Sequence, residues 1–194
     1  MTAACEASTA DVRRVVLVEG VSDQFAVQAL AERRGRDLTA EGISVVPMGG
    51  ATNIGHFLER FRANGSEVGL AGLYDEAETR YFQRGLERAG FGAHLSRAEM
   101  QALGFFVCSA DLEDELIRAL GVKAVEQILD AEGDLNSFRT FQQQPAHRQR
   151  SDAARLRRFM GTRSGRKIHY GAVLVNALDL DRVPLPLDGL LTSI

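Results

Sequence analysis

Four short apolar runs, separated by single helix-patterned stretches, constrain this chain more than any other feature. They are RVVLV at 14–18, ISVVP at 43–47, VGLAGLY at 68–74 and FFVCSA at 105–110. Each is short and bounded by glycine or charge, as strands buried on both faces are. Apolar residues at helical spacing fill 22–34, 53–64 and 77–89, and a further helical pattern follows at 112–120. Strands that alternate with single helices predict βαβ units, hence a parallel sheet covered by helices. The expected fold is α/β, with a four-strand parallel domain over 12–121.

Beyond Gly121 the strand pattern stops. Residues 122–131 are helix-patterned, and Asp134 is expected to cap a short helix carrying Phe138 and Phe141. QQQPAHRQRSD at 142–152 is polar and broken by Pro145, which marks a loop or linker. Asp152 is expected to open a further helix. Ser164 is expected to cap another, running to about Leu178 with Ile168, Ala172 and Val175 on one face and Lys167 at its flank. The prolines of VPLPL at 183–187 exclude a central strand, so this stretch leads into a short terminal segment. The organisation read from sequence is a flexible tail over 1–11, the α/β domain over 12–121 and a helical C-terminal extension over 122–194.

A chain of 194 residues can bury a sizeable core without disulfides. Its two cysteines cannot form a disulfide scaffold, and Cys108, inside an apolar run, reads as a small buried hydrophobe. A reduced, cytoplasmic setting is expected. No apolar run approaches the length of a membrane span, and the first eleven residues lack the basic start and apolar middle of a secretory signal. Charge is unevenly placed. Nine Lys/Arg and one acid between Arg139 and Lys167 give that segment +8, and a net −3 for the whole chain leaves −11 elsewhere. An acidic body with a basic segment points to a cation site beside a polyanion-binding surface.

Three of the four strands end in acid. The first ends in Glu19, with Asp23 just beyond; the third in Asp75, with Glu76 and Glu78 on the next turn. The fourth is followed by Asp111, Glu113, Asp114 and Glu115. In a parallel sheet these tips share one edge, where ligands bind in open α/β folds. Clustered carboxylates repel one another unless a cation neutralises them or some take up protons. Hard oxygen donors without a Cys/His cluster favour Mg²⁺ or Mn²⁺ over zinc. Paired metals held by carboxylates are the usual means of phosphodiester chemistry.

Blander roles stand beside these. Ser22 or Asp23 reads as a helix N-cap, and Asp111 as a ligand or only an N-cap. Asp114 and Glu115 are better explained by the helix dipole, and Glu76 and Glu78 could be plain surface charges. His56, His94, His147 and His169 show no metal-ligand spacing. The glycines of VPMGGATNIGHF fit a turn and cap better than a phosphate cradle. Ser22 and Ser109 lack a recognisable His/acid partner, and no phosphatase-type DxDx[TV] signature is present.

The element strand–Glu–Gly–x–Ser–Asp, followed by a strand ending in an acidic turn, resembles the Toprim domain of topoisomerases, primases, RecR-type repair proteins and OLD (overcoming lysogenisation defect) nucleases. LVEGVSDQFAVQAL, VVPMGG, GLYDEAE and SADLEDELIRALG are most similar to the OLD branch. The resemblance implies metal ligands at Glu19, Asp23, Asp75, Asp111 and Glu113. GRKIHYGAVLVNALDLDRVPLPLDGLL resembles that branch's C-terminal extension and points to Lys167 as the catalytic lysine, acting with Glu19. The second acid of a strict DxD would fall at Ala77, so Glu76 or Glu78 must replace it; Glu78 is taken as the ligand. The implied activity is DNA endonuclease or nicking chemistry with one or two Mg²⁺ or Mn²⁺ ions. Arg148, Arg150, Arg155, Arg158, Arg163 and Arg166 would then contact the phosphate backbone. The resemblance also calls up an ATPase; with no GxxxxGK[ST] loop present, either it is a separate partner or ATP plays no part, and a homodimer is admitted. The alternative is a Toprim module weakened at Ala77 that binds nucleic acid or a partner without cutting.

Overall fold

The computed structural model describes residues 12–63 and 68–194; the expected tail over 1–11, with Cys5, lies outside them. Four parallel strands, β1 Arg14–Val18, β2 Ile43–Pro47, β3 Gly69–Asp75 and β4 Phe105–Cys108, form one sheet in the order β2-β1-β3-β4. Side chains alternate along each strand between two cores. Val16, Val18, Ala71, Leu73, Phe106 and Cys108 face one; Val15, Leu17, Tyr74, Phe105 and Val107 face the other.

The second of these faces is covered by α2 Ile54–Ala63, α3 Thr79–Arg88 and the short α4 Arg97–Ala102. The first packs on α1 Val21–Arg33, α5 Leu112–Leu120, α6 Val122–Ala131, α7 Leu135–Gln143, α8 Asp152–Met160, α9 Ser164–Ala177 and α10 Leu185–Ser193. The C-terminal helices therefore share a continuous core with the sheet. Arginines at the end of α1 clamp them: Arg33 donates to the Val175 and Leu178 carbonyls at the end of α9, and Arg36 to the Leu191 and Ile194 carbonyls. Arg34 pairs with Asp188 at 2.5 Å.

Several local expectations are corrected. The cap of α1 is Gly20, and Asp23 sits in the first turn, accepting the Gly20 N–H at 2.8 Å. Asp134 does not cap α7 with its side chain; it binds Arg166 and the Tyr170 hydroxyl instead. Asp152 opens α8 as expected, and Ser151 before it caps the helix by accepting the Ala154 N–H. On α9 the buried face is Tyr170, Leu174, Val175 and Leu178, because the Tyr170 ring can enter the core while its hydroxyl reaches Asp134. The stretch after Val183 becomes a nine-residue helix, since Pro186 falls in a first turn that needs no N–H. Within 142–152, His147 is buried and stacks on Phe141 with 3.9 Å between ring centroids.

Candidate functional site

The tips of β1 and β3 are tied together by the first predicted acid. A Glu19 carboxylate oxygen accepts the Asp75 N–H at 2.9 Å, and the Glu19 carbonyl accepts the Gly50 N–H at 3.0 Å. Gly49 and Gly50 both have positive φ, a turn that other residues adopt with strain. The glycine-rich stretch thus acts as the expected turn, bracing Glu19 from behind.

Asp23 comes to the same edge from the first turn of α1 and is only 8% exposed. Burial raises its pKa, against lowering by Lys167 and the Gly20 N–H. Glu19 is also raised, first by burial and then by Asp23 and Glu78. Glu78 therefore lies near enough to act on Glu19 across the turn, whereas Glu76 and Ala77 are exposed. Asp75, at the tip of β3, is the most perturbed of the half-buried acids. Burial pushes it up to about 8, helped by the negative charges of Glu19, Asp23 and Asp111. Its carboxylate forms no hydrogen bond or ion pair with another described residue.

The fourth strand's acids have protein partners. Asp111 is both of the things its sequence position allowed. One oxygen caps α5 by accepting the Asp114 N–H at 2.8 Å, and the other takes Arg157 Nε at 2.5 Å. Just before it, Ala110 has φ +123°, a strained conformation where β4 ends two residues earlier than predicted. Glu113 is almost fully buried and pushed up to about 7 by that burial, opposed by Lys167, whose ammonium lies 3.3 Å away. Lys167 comes from α9; burial alone would depress it, but Glu113 and Asp23 hold its pKa above the ordinary value. Glu115 does more than complement a helix dipole: it is buried, accepts the Ser109 N–H at 2.7 Å and pairs with Arg118 at 2.8 Å.

Of the basic segment, Arg155 is committed to the His147 and Arg148 carbonyls and to Asp152. Arg166 is held by Asp134 and Thr162 and lies 4.0 Å over the Phe159 ring. Arg148 and Arg150 donate to the nearby Gln143 and Ala146 carbonyls. Arg158 and Arg163 are exposed and have no side-chain partner among the described residues. Arg157, inside the basic segment but not singled out there, is the arginine that reaches the acidic edge. The helical spacing of 157 from the buried Leu156 and Met160 does not reveal this, because nothing local marks Asp111 as its partner.

Residues 12–72 match the family described as overcoming lysogenization defect protein-like, TOPRIM domain. The matched stretch, from β1 into β3, is similar to an OLD-like Toprim domain. Among solved structures, this chain is similar to the C-terminal region of the Burkholderia pseudomallei OLD protein, with a TM-score of 0.71 and 20% identity over 93% of this chain and 96% of that one. It is also similar to the C-terminal region of the Xanthomonas campestris pv. campestris OLD protein, with a TM-score of 0.70 and 24% identity over 94% and 91% of the two chains. At these identities the likeness shows the Toprim fold with its helical extension. No curated protein compared with the chain matches it.

The Toprim edge can be tested for a divalent cation on its own donors. They are all carboxylate oxygens, buried or half-buried, and two cations, Lys167 and Arg157, face five of them. The unpartnered Asp75 beside Glu19 and Asp23 is the chemistry a hard cation satisfies. Among the described residues, however, no three acidic, histidine or cysteine side chains already gather round one point, since Asp111 and Glu113 are directed to Arg157 and Lys167. The donor set fits such an ion in its chemistry. No helix among the described residues is long and apolar enough to cross a membrane.

Proposed function

We propose that this protein is a metal-dependent nuclease that cleaves phosphodiester bonds in DNA at the acidic sheet edge. The observation that carries the reading is Asp75: a half-buried carboxylate at the tip of β3 with no partner among the described residues, its pKa pushed up to about 8 by burial and then by Glu19, Asp23 and Asp111. Such a group favours a cation over ionisation alone. Glu19, Asp23 and Asp75, with Glu78 across the turn and Asp111 and Glu113 on the next strand, would hold one or two Mg²⁺ or Mn²⁺ ions. An ion held by these residues would lower the pKa of a bound water, making hydroxide available as the nucleophile, and would supply counter-charge to the phosphate. The remaining work falls to the chain. The Asp75 N–H fixes the Glu19 carboxylate, and Gly50 fixes its backbone. Lys167 keeps its proton at the operating pH and sets a positive charge beside the acids, where it can offset charge developing on a phosphate. The exposed Arg158 and Arg163 would contact the backbone without reading sequence.

Plasmid nicking with Mn²⁺ tests this. The wild-type protein is expected to nick, and the Glu19→Gln, Asp75→Asn double variant to fall to the chelator background. Calorimetric titration of Mn²⁺ should show the same variant losing cation affinity. A second reading is favoured by the pairing of Asp111 and Glu113 with protein cations: a module that binds nucleic acid without cutting it. It predicts no nicking by wild type, together with salt-sensitive DNA binding that survives loss of Glu19.

A further inference from the structure

A second concentration of positive charge lies on α3, the helix that leaves the acidic edge after β3. Arg80, Arg84 and Arg88 recur every four residues along it and are all exposed. Unlike Arg155, Arg157 and Arg166, none of the three has an ion pair or side-chain hydrogen bond among the described residues. Arg84 and Arg88 line a cleft of about 450 Å³ together with Thr52, Ile54, Tyr81 and Glu87. The single acid there, Glu87, already accepts the His94 N–H at 2.7 Å.

Two glycines shape this cleft. A Cβ on Gly85 would stand 3.1 Å from the Ile54 side chain, and one on Gly55 only 3.0 Å from an Arg88 guanidinium nitrogen. The small residues bring α3 close and lay the Arg88 guanidinium across the first turn of α2. That turn is the positive end of a helix dipole and carries no acidic residue. With Arg84 and Arg88 against the one acid Glu87, the cleft keeps a net positive charge at a positive helix end, which suits an anion. Tyr81, 45% exposed at the cleft wall, adds an aromatic face. Cation, helix N-terminus and open ring together match phosphate next to a base, which is the repeating chemistry of a nucleic-acid strand.

We propose that this cleft binds a single-stranded segment of the nucleic-acid substrate, with Arg84 and Arg88 on its phosphates and Tyr81 stacked on a base. The assignment rests on the nuclease reading of the acidic edge. The rise of α3 puts Arg84 about 9 Å along the axis from Glu78, so a strand held here leads toward Asp75. Arg158 and Arg163, on α8 and at the start of α9, would serve a different stretch of backbone.

The test is fluorescence anisotropy of a labelled single-stranded oligonucleotide in EDTA across a NaCl series. Without cleavage, the result stands whether or not the protein cuts. The R84A/R88A variant is expected to bind about 10-fold more weakly at low salt and to lose about 1.4 from the log–log salt slope, since each single-strand phosphate contact contributes about 0.7. R84K/R88K should retain the slope. Tyr81→Ala should weaken binding about 10-fold with the slope unchanged, and Tyr81→Phe should restore it. These side chains are exposed, so thermal unfolding should not move. An unchanged slope in R84A/R88A, with the loss appearing instead in R158A/R163A, would overturn the assignment. So would arginine-dependent binding of a free mononucleotide as tight as that of the oligonucleotide, which would make the cleft a nucleotide site.

Discussion

Gly171 on α9 sets how closely that helix approaches α1, and replacing it with alanine is a sharp test of how the site is assembled. An ideal Cβ at position 171 would lie 2.6 Å from the Ser22 carbonyl oxygen, about 0.8 Å inside the 3.4 Å where ordinary contact begins. The obstructing atom is backbone, so no rotamer change relieves it, and the two helices must part. Overpacking of this kind costs about 1–3 kcal/mol, while the better helix propensity of alanine returns about 1 kcal/mol. The net expectation is a loss of up to about 2 kcal/mol, or up to roughly 8 °C in Tm for a domain of this size. Lys167 lies one turn before Gly171 on the same side of the helix, and Ser22 adjoins Asp23. Parting the helices therefore withdraws the ammonium from Glu113 and Asp23. Gly165 in the first turn of α9 is the control, because a Cβ there would meet nothing within 4 Å. Thermal and denaturant unfolding of the two variants should move in opposite directions, Gly165→Ala gaining a few tenths of a kcal/mol to about 1 kcal/mol. Mn²⁺-dependent nicking should fall in Gly171→Ala even at temperatures where it remains folded. A Gly171→Ala protein as stable as Gly165→Ala, with undiminished nicking, would refute the close-approach argument.

Stability in chelator should fall as pH rises from about 5 to about 8. Asp75 and Glu113 have folded-state pKa values near 8 and 7, above those of the unfolded chain. The folded protein therefore holds more protons across this window, and that advantage is lost as pH passes the folded values. With half-burial discounted, the drop is about 1–3 kcal/mol; Asp75→Asn should flatten it, and Mn²⁺ should restore the melting temperature at the alkaline end. Ala110→Gly should stabilise the protein by about 0.5–2 kcal/mol in denaturant titrations, because relief of the strain at φ +123° outweighs the entropy of the added glycine.

The parallel sheet was readable because strands buried on both faces leave a distinctive mark: short, β-branched, and ended by glycine or acid. Convergence of the strand-end acids followed from topology alone. What escaped was decided by tertiary partners. Ser22 and Asp23 both look like caps, but Gly20 takes that place because Asp23 can reach back to its N–H. The short helix α4 carries a readable signal in Ser96 and Glu99, whose side chains satisfy each other's backbone N–H groups. Nothing in the composition of residues 139–167 separates Arg166, held by Asp134 and Phe159, from the exposed Arg163. Likewise the missing acid at Ala77 is visible in the sequence, whereas the influence of Glu78 on Glu19 depends on how the 3-10 turn Glu76–Glu78 bends.

The arrival of Lys167 on a helix that starts 145 residues after Glu19 has a consequence for folding order. The strands and their crossovers can form from the first two thirds of the chain, and in doing so they gather like charges at one end of the sheet. Docking of α9 then does two things in one event, closing the core over α1 and delivering the compensating ammonium. Intermediates in which α9 has not docked carry an exposed apolar face beside an uncompensated acidic one. Such intermediates are the least stable, so hydrogen exchange across α1 and α9 should be lost together, in a single cooperative unit.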